Sequence, residues 1–322
     1  MDLLLGENLV GELLDGNRRA LARVISLVEN DAPEKERILA QLFPHTGRAH
    51  YVGFTGAPGA GKSSLVDKFT SHVRKLGLTV GIVAIDPSSP FTGGALLGDR
   101  IRMQEHALDE GVFIRSMGTR GSLGGLARST KQVMKVLDAF GKDLVLVETV
   151  GVGQSELDVA RAADTTVVIL TPASGDAIQT LKAGIMEIAD IFVVNKNDLP
   201  GAQEMVRDIN AMLDLAPKRD WRPPVVATNA LAGEGIDELY SAVEKHWQFL
   251  KQDGRGEQLR QERLQQEVLE TAVGELREQL FRGLAVEPEL QDLLNRVGQR
   301  EIDPYTAAKE VLVHAGLGNR SR

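Results

Sequence analysis

Cysteine is absent from the 322 residues of this chain. Its absence excludes disulfide bonds, thiolate metal ligands and a cysteine nucleophile, and it suits a reducing cytoplasm. Histidine is scarce as well. The six histidines are scattered, with no pair at metal-ligand spacing on one predicted helix. A dedicated transition-metal site is therefore not expected.

An excess of basic charge and long apolar runs are also missing. The formal net charge is −8, which argues against a general nucleic-acid binder or a binder of acidic membranes. No stretch is long and apolar enough to span a bilayer. The first residues, MDLLLGE, lack the basic region and the apolar run of a signal peptide. We expect a cytoplasmic protein with no nucleic-acid partner and no membrane partner.

The chain does contain a glycine-rich motif. Residues 56–63 read GAPGAGKS, which fits the phosphate-loop pattern G-x-x-x-x-G-K-[ST]. The glycines allow several backbone N–H groups to point into one concavity, and the following helix adds the positive end of its dipole. The motif predicts a nucleoside triphosphate site formed by Gly56, Ala57, Pro58, Gly59, Ala60, Gly61, Lys62, Ser63 and Ser64.

The neighbouring sequence fits this interpretation. Residues 51–55 read as a short buried strand, and apolar residues recur at helical spacing from Ser64 onward. We expect Lys62 to reach the β- and γ-phosphates and the Ser63 hydroxyl to ligate Mg²⁺. The alternative is an ordinary glycine-rich turn between a strand and a helix.

Seven short apolar runs alternate with helical patterns along the middle of the chain. Nearly continuous apolar runs of this kind are typical of strands buried on both faces. They predict an α/β fold of the P-loop NTPase class, with a doubly wound, mostly parallel sheet whose ligands bind at the carboxyl ends of the strands. The runs lie at residues 52–54, 80–85, 112–114, 144–147, 166–170, 191–194 and 224–227.

Helical regions flank this central part, so we expect three segments. Residues 1–47 form an N-terminal helical extension that covers one flank of the core, residues 48–253 form the P-loop domain, and residues 254–322 form a helical C-terminal region. A charge-rich helix from Glu257 to about Arg282 carries an apolar stripe. The stripe either covers the sheet or pairs with a second subunit, and its length favours a dimerisation arm.

Acidic residues follow three of the predicted strands or the loops after them. Asp86, Asp99 and Glu148 are candidate Mg²⁺ ligands, and the N–H of Gly151 is a candidate γ-phosphate donor. The two aspartates could instead be turn or N-cap residues. Glutamate stands at 148 where aspartate is more usual, so a contact through water is expected. Gln154 lies three residues beyond Gly151, so no residue is assigned to orienting the attacking water.

The segment Asn195-Lys196-Asn197-Asp198 follows a predicted strand and matches N-K-x-D. A carboxylate at Asp198 can accept from both N1–H and the exocyclic amine of guanine, whereas adenine offers no such donor pair. Lys196 can lay its aliphatic stem along the base, and Asn195 can brace neighbouring backbone. The alternative is a polar helix cap. Together with the phosphate loop, the segment predicts guanine recognition.

Three of these segments resemble the MeaB/ArgK-type G proteins: residues 86–89 (DPSS), 98–103 (GDRIRM) and 148–156 (ETVGVGQSE). That family consists of chaperones of cobalamin-dependent methylmalonyl-CoA mutase and related acyl-CoA mutases. It has also been labelled a lysine/arginine/ornithine transport ATPase family. The resemblance extends over nearly the whole chain.

The resemblance implies a homodimeric GTPase that uses GTP/GDP and Mg²⁺ and has a cobalamin-dependent acyl-CoA mutase as its partner. It implies that Lys62, Glu148 and Gly151 serve hydrolysis, which we expect to be slow until a partner accelerates it. It also implies Mg²⁺ near Ser63, Asp86 and Asp99, a switch at residues 148–154, and a further mobile loop at residues 172–185.

One segment departs from the family pattern. Where the family usually has Ser-Ala against the guanine oxygen, this chain has Asn229-Ala230, followed by Leu231. A backbone N–H is expected to make that contact instead. The chain shows no D-x-H-x-x-G cobalamin signature, so cobalamin is expected to belong to the partner.

Other functions stay open at this point. An ATP-dependent kinase or transport ATPase would share the phosphate loop, but Asp198 argues against it. A nickel-insertion GTPase would share the core, but the chain lacks cysteine and clustered histidine. A nucleotide-binding module without turnover is the remaining alternative.

Overall fold

A computed structural model describes residues 2–86, 106, 108–118, 128–149, 155–172 and 185–317. Within these ranges the central element is a sheet of seven strands, all parallel, in the order β3-β2-β4-β1-β5-β6-β7. The α/β fold with a parallel sheet is thereby confirmed. The strands are β1 (His50–Gly56), β2 (Val80–Asp86), β3 (Val112–Gly118), β4 (Leu144–Thr149), β5 (Thr165–Leu170), β6 (Ile191–Asn195) and β7 (Val225–Thr228).

Helices lie before, between and after these strands. The described α-helices are α1 (Asp2–Leu14), α2 (Arg18–Glu29), α3 (Lys35–Leu42), α4 (Lys62–Lys75), α5 (Arg128–Ala139), α6 (Ser155–Ala162), α7 (Ile185–Ile188), α8 (Ala202–Leu215), α9 (Ile236–Lys251), α10 (Arg255–Val286), α11 (Pro288–Gly298) and α12 (Pro304–His314). Single 3₁₀ turns cover Phe43–His45 and Gln252–Gly254.

Alternate residues of the strands pack against helices on opposite faces of the sheet. Leu144 and Leu146 belong to a buried cluster with α4 and α9, whereas Val145 and Val147 belong to a cluster with α2, α3 and α5. This arrangement explains why the strands read as continuous apolar runs, since each face is covered by helices. Burial of both faces also leaves the strand ends as the positions where polar side chains can act.

The N-terminal helices pack onto the sheet through one apolar face. Leu21, Val24, Ile25 and Val28 of α2 are all buried in the cluster that includes α5. The helix begins after Asn17, whose side-chain oxygen accepts from the N–H groups of Arg19 (2.9 Å) and Ala20 (3.2 Å). Such a cap satisfies donors that the first turn leaves without intrahelical partners.

The chain divides into two compact units, Met1–Gly256 and Glu257–Arg322. The second unit holds most of α10, together with α11 and α12, and Leu290, Leu293 and Ala307 are buried in it. The expected division at residues 47 and 253 stays a prediction. No helix in the described part of the chain has both the length and the apolar character needed to cross a membrane.

Candidate functional site

The loop between β1 and α4 turns on three glycines. Gly56 has φ +147°, and a Cβ there would lie 2.2 Å from the carbonyl oxygen of Ile169. Gly59 (φ +74°) and Gly61 (φ +88°) lie in the left-handed region. L side chains rarely adopt these conformations, so the glycine spacing of the motif follows from the path of the backbone.

Helix α4 begins at the end of this loop. Its N-cap is Gly61, which offers no side-chain cap. The first N–H groups of a helix have no intrahelical acceptors and lie at the positive end of the dipole. They can therefore bind an anionic group such as a phosphate.

Lys62 is folded over the same loop. Its ammonium donates to the carbonyl oxygen of Gly56 (2.8 Å) and to that of Ala57 (3.0 Å), and the residue is buried. These contacts hold a positive charge against the backbone where the phosphates are expected. Ala60 is buried, Ser64 is half-buried, and Pro58 and Gly59 are exposed.

Two candidate metal ligands meet beneath the loop. The Ser63 hydroxyl donates to Glu148 Oε1 at 2.5 Å, and both residues are buried. Strand β1 leads into the loop and α4, and it pairs with β4 so that Phe54 lies opposite Glu148. This pairing places Glu148 near the start of α4, where Ser63 lies. A hydroxyl and a carboxylate are oxygen ligands of the kind Mg²⁺ prefers. The pair therefore fits a magnesium site.

Asn195 ties the phosphate loop to the segments beyond it. Its side-chain amide donates to the carbonyl oxygen of Ala60 (2.8 Å), while its Oδ1 accepts from Thr228 Oγ1 (3.1 Å) and from the N–H of Ala230 (3.1 Å). A Cβ at Gly61 would lie 2.4 Å from the Asn195 amide nitrogen. The Asn195 side chain therefore links three loops at the carboxyl edge of the sheet.

Lys196 and Asp198 follow Asn195 into this edge. Lys196 has φ +58°, and its ammonium donates to the carbonyl oxygen of Gly59 at 3.0 Å. The N–H of Asn197 donates to the carbonyl oxygen of Thr228 at 3.0 Å. The Asp198 side chain is exposed, so its carboxylate is accessible to a ligand.

The third loop follows β7. Backbone hydrogen bonds of 3.1 Å in both directions join Asn229 to Glu234, and Asn229 Oδ1 accepts from the N–H of Ala232 at 3.3 Å. The Asn229 side chain therefore closes its own loop. Ala230 is buried next to Asn195, and Leu231 is exposed.

Several predicted site residues lie outside the described ranges. These are Asp99, Gly151, Gln154 and most of residues 172–185. Asp86 is the last residue of β2 and lies opposite Gly118 of β3, which places its backbone at the carboxyl edge of the sheet. Its side chain is outside the described part.

Sequence reasoning missed Thr228 as a member of the site. Its hydroxyl donates to the Asn195 oxygen, and its carbonyl accepts from Asn197. The only signal for it was its position at the end of an apolar run, directly before Asn229. The cross-loop role of Asn195 had been expected only as bracing of nearby backbone.

Comparison with known proteins adds a family match. The sequence model described as "Methylmalonyl Co-A mutase-associated GTPase MeaB" matches residues 21–284. A Pyrococcus abyssi protein named as a GTPase is 50% identical over 315 residues, covering 95% of each chain. The Escherichia coli GTPase ArgK is 35% identical over 313 residues, covering 94% of each chain.

Two further comparisons extend this result. The mitochondrial "Methylmalonic aciduria type A homolog" of Caenorhabditis elegans is 35% identical over 278 residues, which cover 80% of this chain and 70% of that protein. The crystal structure of an "LAO/AO transport system kinase" superposes with a TM-score of 0.72 at 28% identity, covering 97% of each chain.

Proposed function

Since the chain belongs to the MeaB family of methylmalonyl-CoA mutase-associated GTPases, we propose that it hydrolyses GTP to control a cobalamin-dependent acyl-CoA mutase. In this role it assists the loading or the protection of the mutase cofactor. The observation that carries the nucleotide part of the proposal is the Asn195 side chain, which joins the phosphate loop to the guanine segment. The mutase part rests on the family and on the Caenorhabditis relative.

The proposed hydrolysis depends mainly on positioning and charge. The N–H groups at the start of α4 and the Lys62 ammonium bind the phosphates, and their charge favours the transition state. Ser63 and Glu148 hold Mg²⁺, with Asp86 and Asp99 as further ligands. When bound, Mg²⁺ would neutralise charge on the β- and γ-phosphate oxygens. Guanine is selected by Asp198, with Lys196 along the base and a backbone N–H of residues 229–231 at its oxygen.

The proposed switch is the segment at residues 148–154, which starts at the buried Glu148 next to Ser63. Gly151 donates its N–H to the γ-phosphate in this proposal. Loss of that contact on hydrolysis would release the segment and change the surface presented to the mutase. The loop at residues 172–185 is the proposed relay.

GTP hydrolysis by the whole chain, alone and with candidate cobalamin-dependent mutases added one at a time, tests this proposal. We expect slow turnover that requires Mg²⁺ and that one mutase accelerates at least about tenfold, as partners do for other G proteins. An arm with ATP checks base selectivity, and an arm with EDTA checks the metal. Turnover unchanged by every mutase would contradict the partner assignment, and preferred ATP turnover would favour a transport ATPase.

We also propose that the chain is a homodimer formed through α10. None of the residues of this 32-residue helix is buried. Its exposed residues include four large apolar side chains, each about 60% exposed: Val268, Leu269, Val273 and Phe281. Apolar side chains repeated along a charged helix are typical of a helix that packs against a partner helix. A second copy is the occupant proposed here, because an isologous contact satisfies the same stripe on both chains.

Sedimentation equilibrium of the whole chain tests the dimer. The double substitution Leu269→Glu/Val273→Glu is expected to weaken self-association at least about a hundredfold, because it places charge in an apolar contact. The double substitution Thr271→Glu/Ala285→Glu adds the same charge on the opposite side of α10 and should leave the dimer intact. A wild-type chain that stays monomeric at all concentrations rules the proposal out.

A further inference from the structure

The described residues before β3 lie across helix α4. His106 is buried, and its Nε2 lies 3.2 Å from the carbonyl oxygen of Asp67, 3.3 Å from Ser71 Oγ and 3.4 Å from Asp67 Oδ1. All three neighbours can accept a hydrogen bond, so Nε2 carries a proton in this arrangement. Asp67 is buried as well. We call residue 106 and residues 108–111 the strap.

The strap makes a second contact one turn further along α4. Arg74 donates through Nε to Asp109 Oδ2 (2.8 Å) and through Nη2 to Asp109 Oδ1 (3.0 Å). Asp67, Ser71 and Arg74 are spaced four and three residues apart, so they share one face of the helix. Ser63 lies four residues before Asp67 on that face. The strap is therefore attached to the same side of α4 that carries the candidate metal ligand.

Two further cations hold the strap and the start of β3. Arg18, the first residue of α2, donates to the carbonyl oxygens of Asp109 (3.2 Å), Glu110 (2.6 Å) and Val112 (2.9 Å). Lys142 donates to the carbonyl oxygen of Gly111 at 2.9 Å. Residues 109–112 are thus bonded to Arg18, Arg74 and Lys142, whereas His106 makes a separate contact of the strap with α4.

The His106–Asp67 contact contributes little net stability for a buried contact. Burying a charged pair costs desolvation energy that the attraction repays only when every polar atom is satisfied. Here Asp67 Oδ1 and the nearby Thr70 Oγ1 are buried without a hydrogen-bond partner among the described residues. An apolar pair would hold the strap at least as well, so stability alone does not account for this pair.

We propose that the His106–Asp67 pair is a pH-sensitive positioning contact for GTP hydrolysis, holding the strap on α4 and so fixing the helix that carries Lys62 and Ser63. The proposal rests on the GTPase activity and does not depend on any mutase. Among the described residues, His106 contacts neither the phosphate loop nor Ser63 or Glu148, and it acts through the position of α4. Its loss should therefore change turnover more than it changes the base preference.

The charges around the pair set the sign of the pH dependence. The Asp67 carboxylate, 3.4 Å from Nε2, and the Asp67 carbonyl oxygen, 3.2 Å away, raise the pKa of His106 above its ordinary 6.5, against the opposing effect of burial. Among the described residues, the other charged groups near the pair are Lys68, which lies 3.2 Å from the second Asp67 oxygen, and Asp109, which is paired to Arg74. A raised pKa means that the contact is strongest at low pH, where His106 is charged, and that the stabilisation from this charge is lost as the pH rises through that value.

Turnover without any mutase, measured from about pH 6 to about pH 9 around the ordinary His pKa, tests the contact. Wild type is expected to lose several-fold in kcat on the alkaline side, because the contact that positions α4 weakens when His106 loses its charge. His106→Gln can place a neutral donor near Nε2 but carries no charge and does not titrate, so it should show the reduced turnover of alkaline wild type at every pH. His106→Leu should be slow, by about tenfold, at every pH.

The controls separate this effect from others. His72→Gln removes another imidazole of α4, one that pairs with Asp237 at 3.0 Å, and should keep the wild-type profile. Burial lowers the pKa of Lys142 to about 8, so this residue titrates in the same pH range. If His106 is the group responsible, the decrease in kcat with rising pH must be absent in His106→Gln, which keeps Lys142. If His106→Leu and His106→Gln lower the melting temperature but keep the wild-type kcat and its pH profile, the pair is only structural and the proposal fails.

Discussion

Replacing Lys62 with methionine is expected to lower GTP turnover about a thousandfold or more, as loss of a charged donor at the reacting group does in other enzymes. The ammonium is the buried positive charge of the phosphate loop, held by the carbonyl oxygens of Gly56 and Ala57. Methionine keeps the length and apolar stem of the side chain but removes the charge. Single-turnover hydrolysis of radiolabelled GTP in excess protein measures the effect without interference from product release.

Lys75→Met is the matched control, because Lys75 is the exposed last residue of the same helix. It should hydrolyse GTP at the wild-type rate. Circular dichroism of both variants checks that α4 is formed. Unchanged hydrolysis by folded Lys62→Met would show that the phosphates are bound elsewhere, and it would remove the basis for the proposed site.

The strands were predictable because burial on both faces produces a signal that is local in the sequence. Each of the seven apolar runs became a strand, with ends shifted by a few residues; β3, for example, continues to Gly118. The sheet order was not predictable in the same way. The position of β1 between β4 and β5 depends on how crossovers pack, which is a property of the whole fold.

The phosphate loop and the guanine segment were predictable because each is a contiguous motif whose residue types follow from the chemistry of one ligand. Their connection was not, because the Asn195 side chain reaches residues 135 and 35 positions away. The strap shows the same limit. His106 and Asp67 are 39 residues apart, and neither belongs to a spacing pattern that a linear reading detects.

The roles of Asp99 and Gly151 stay predictions from the sequence, since both residues lie outside the described ranges. Glu148 is better supported, because its 2.5 Å contact with Ser63 places a carboxylate beside the hydroxyl expected to bind the metal. A carboxylate that reaches this position from β4 also links the metal site to the segment proposed as the switch.

Replacing Asp198 with asparagine is expected to change which base is bound. In the proposed site the carboxylate accepts from the N1–H and the exocyclic amine of guanine, whereas an asparagine amide offers one acceptor and one donor. That pair matches xanthine, which keeps N1–H but carries an oxygen in place of the amine. GDP affinity should fall about a thousandfold or more, as in sites built around a hydrogen-bonding group, and XDP affinity should rise.

Competition between GDP and XDP for a fluorescent nucleotide measures this exchange, with ADP as the third competitor. The exposed Asp198 side chain makes no described contact that the amide would break, so the variant should keep its melting temperature. Asp208→Asn makes the same change in α8 and should leave GDP preferred. A variant that loses GDP without gaining XDP would mean that Asp198 supports the loop but does not read the base. Wild-type protein that binds ADP as tightly as GDP would overturn guanine recognition itself, and with it the proposed role of the Asn195 to Asp198 segment.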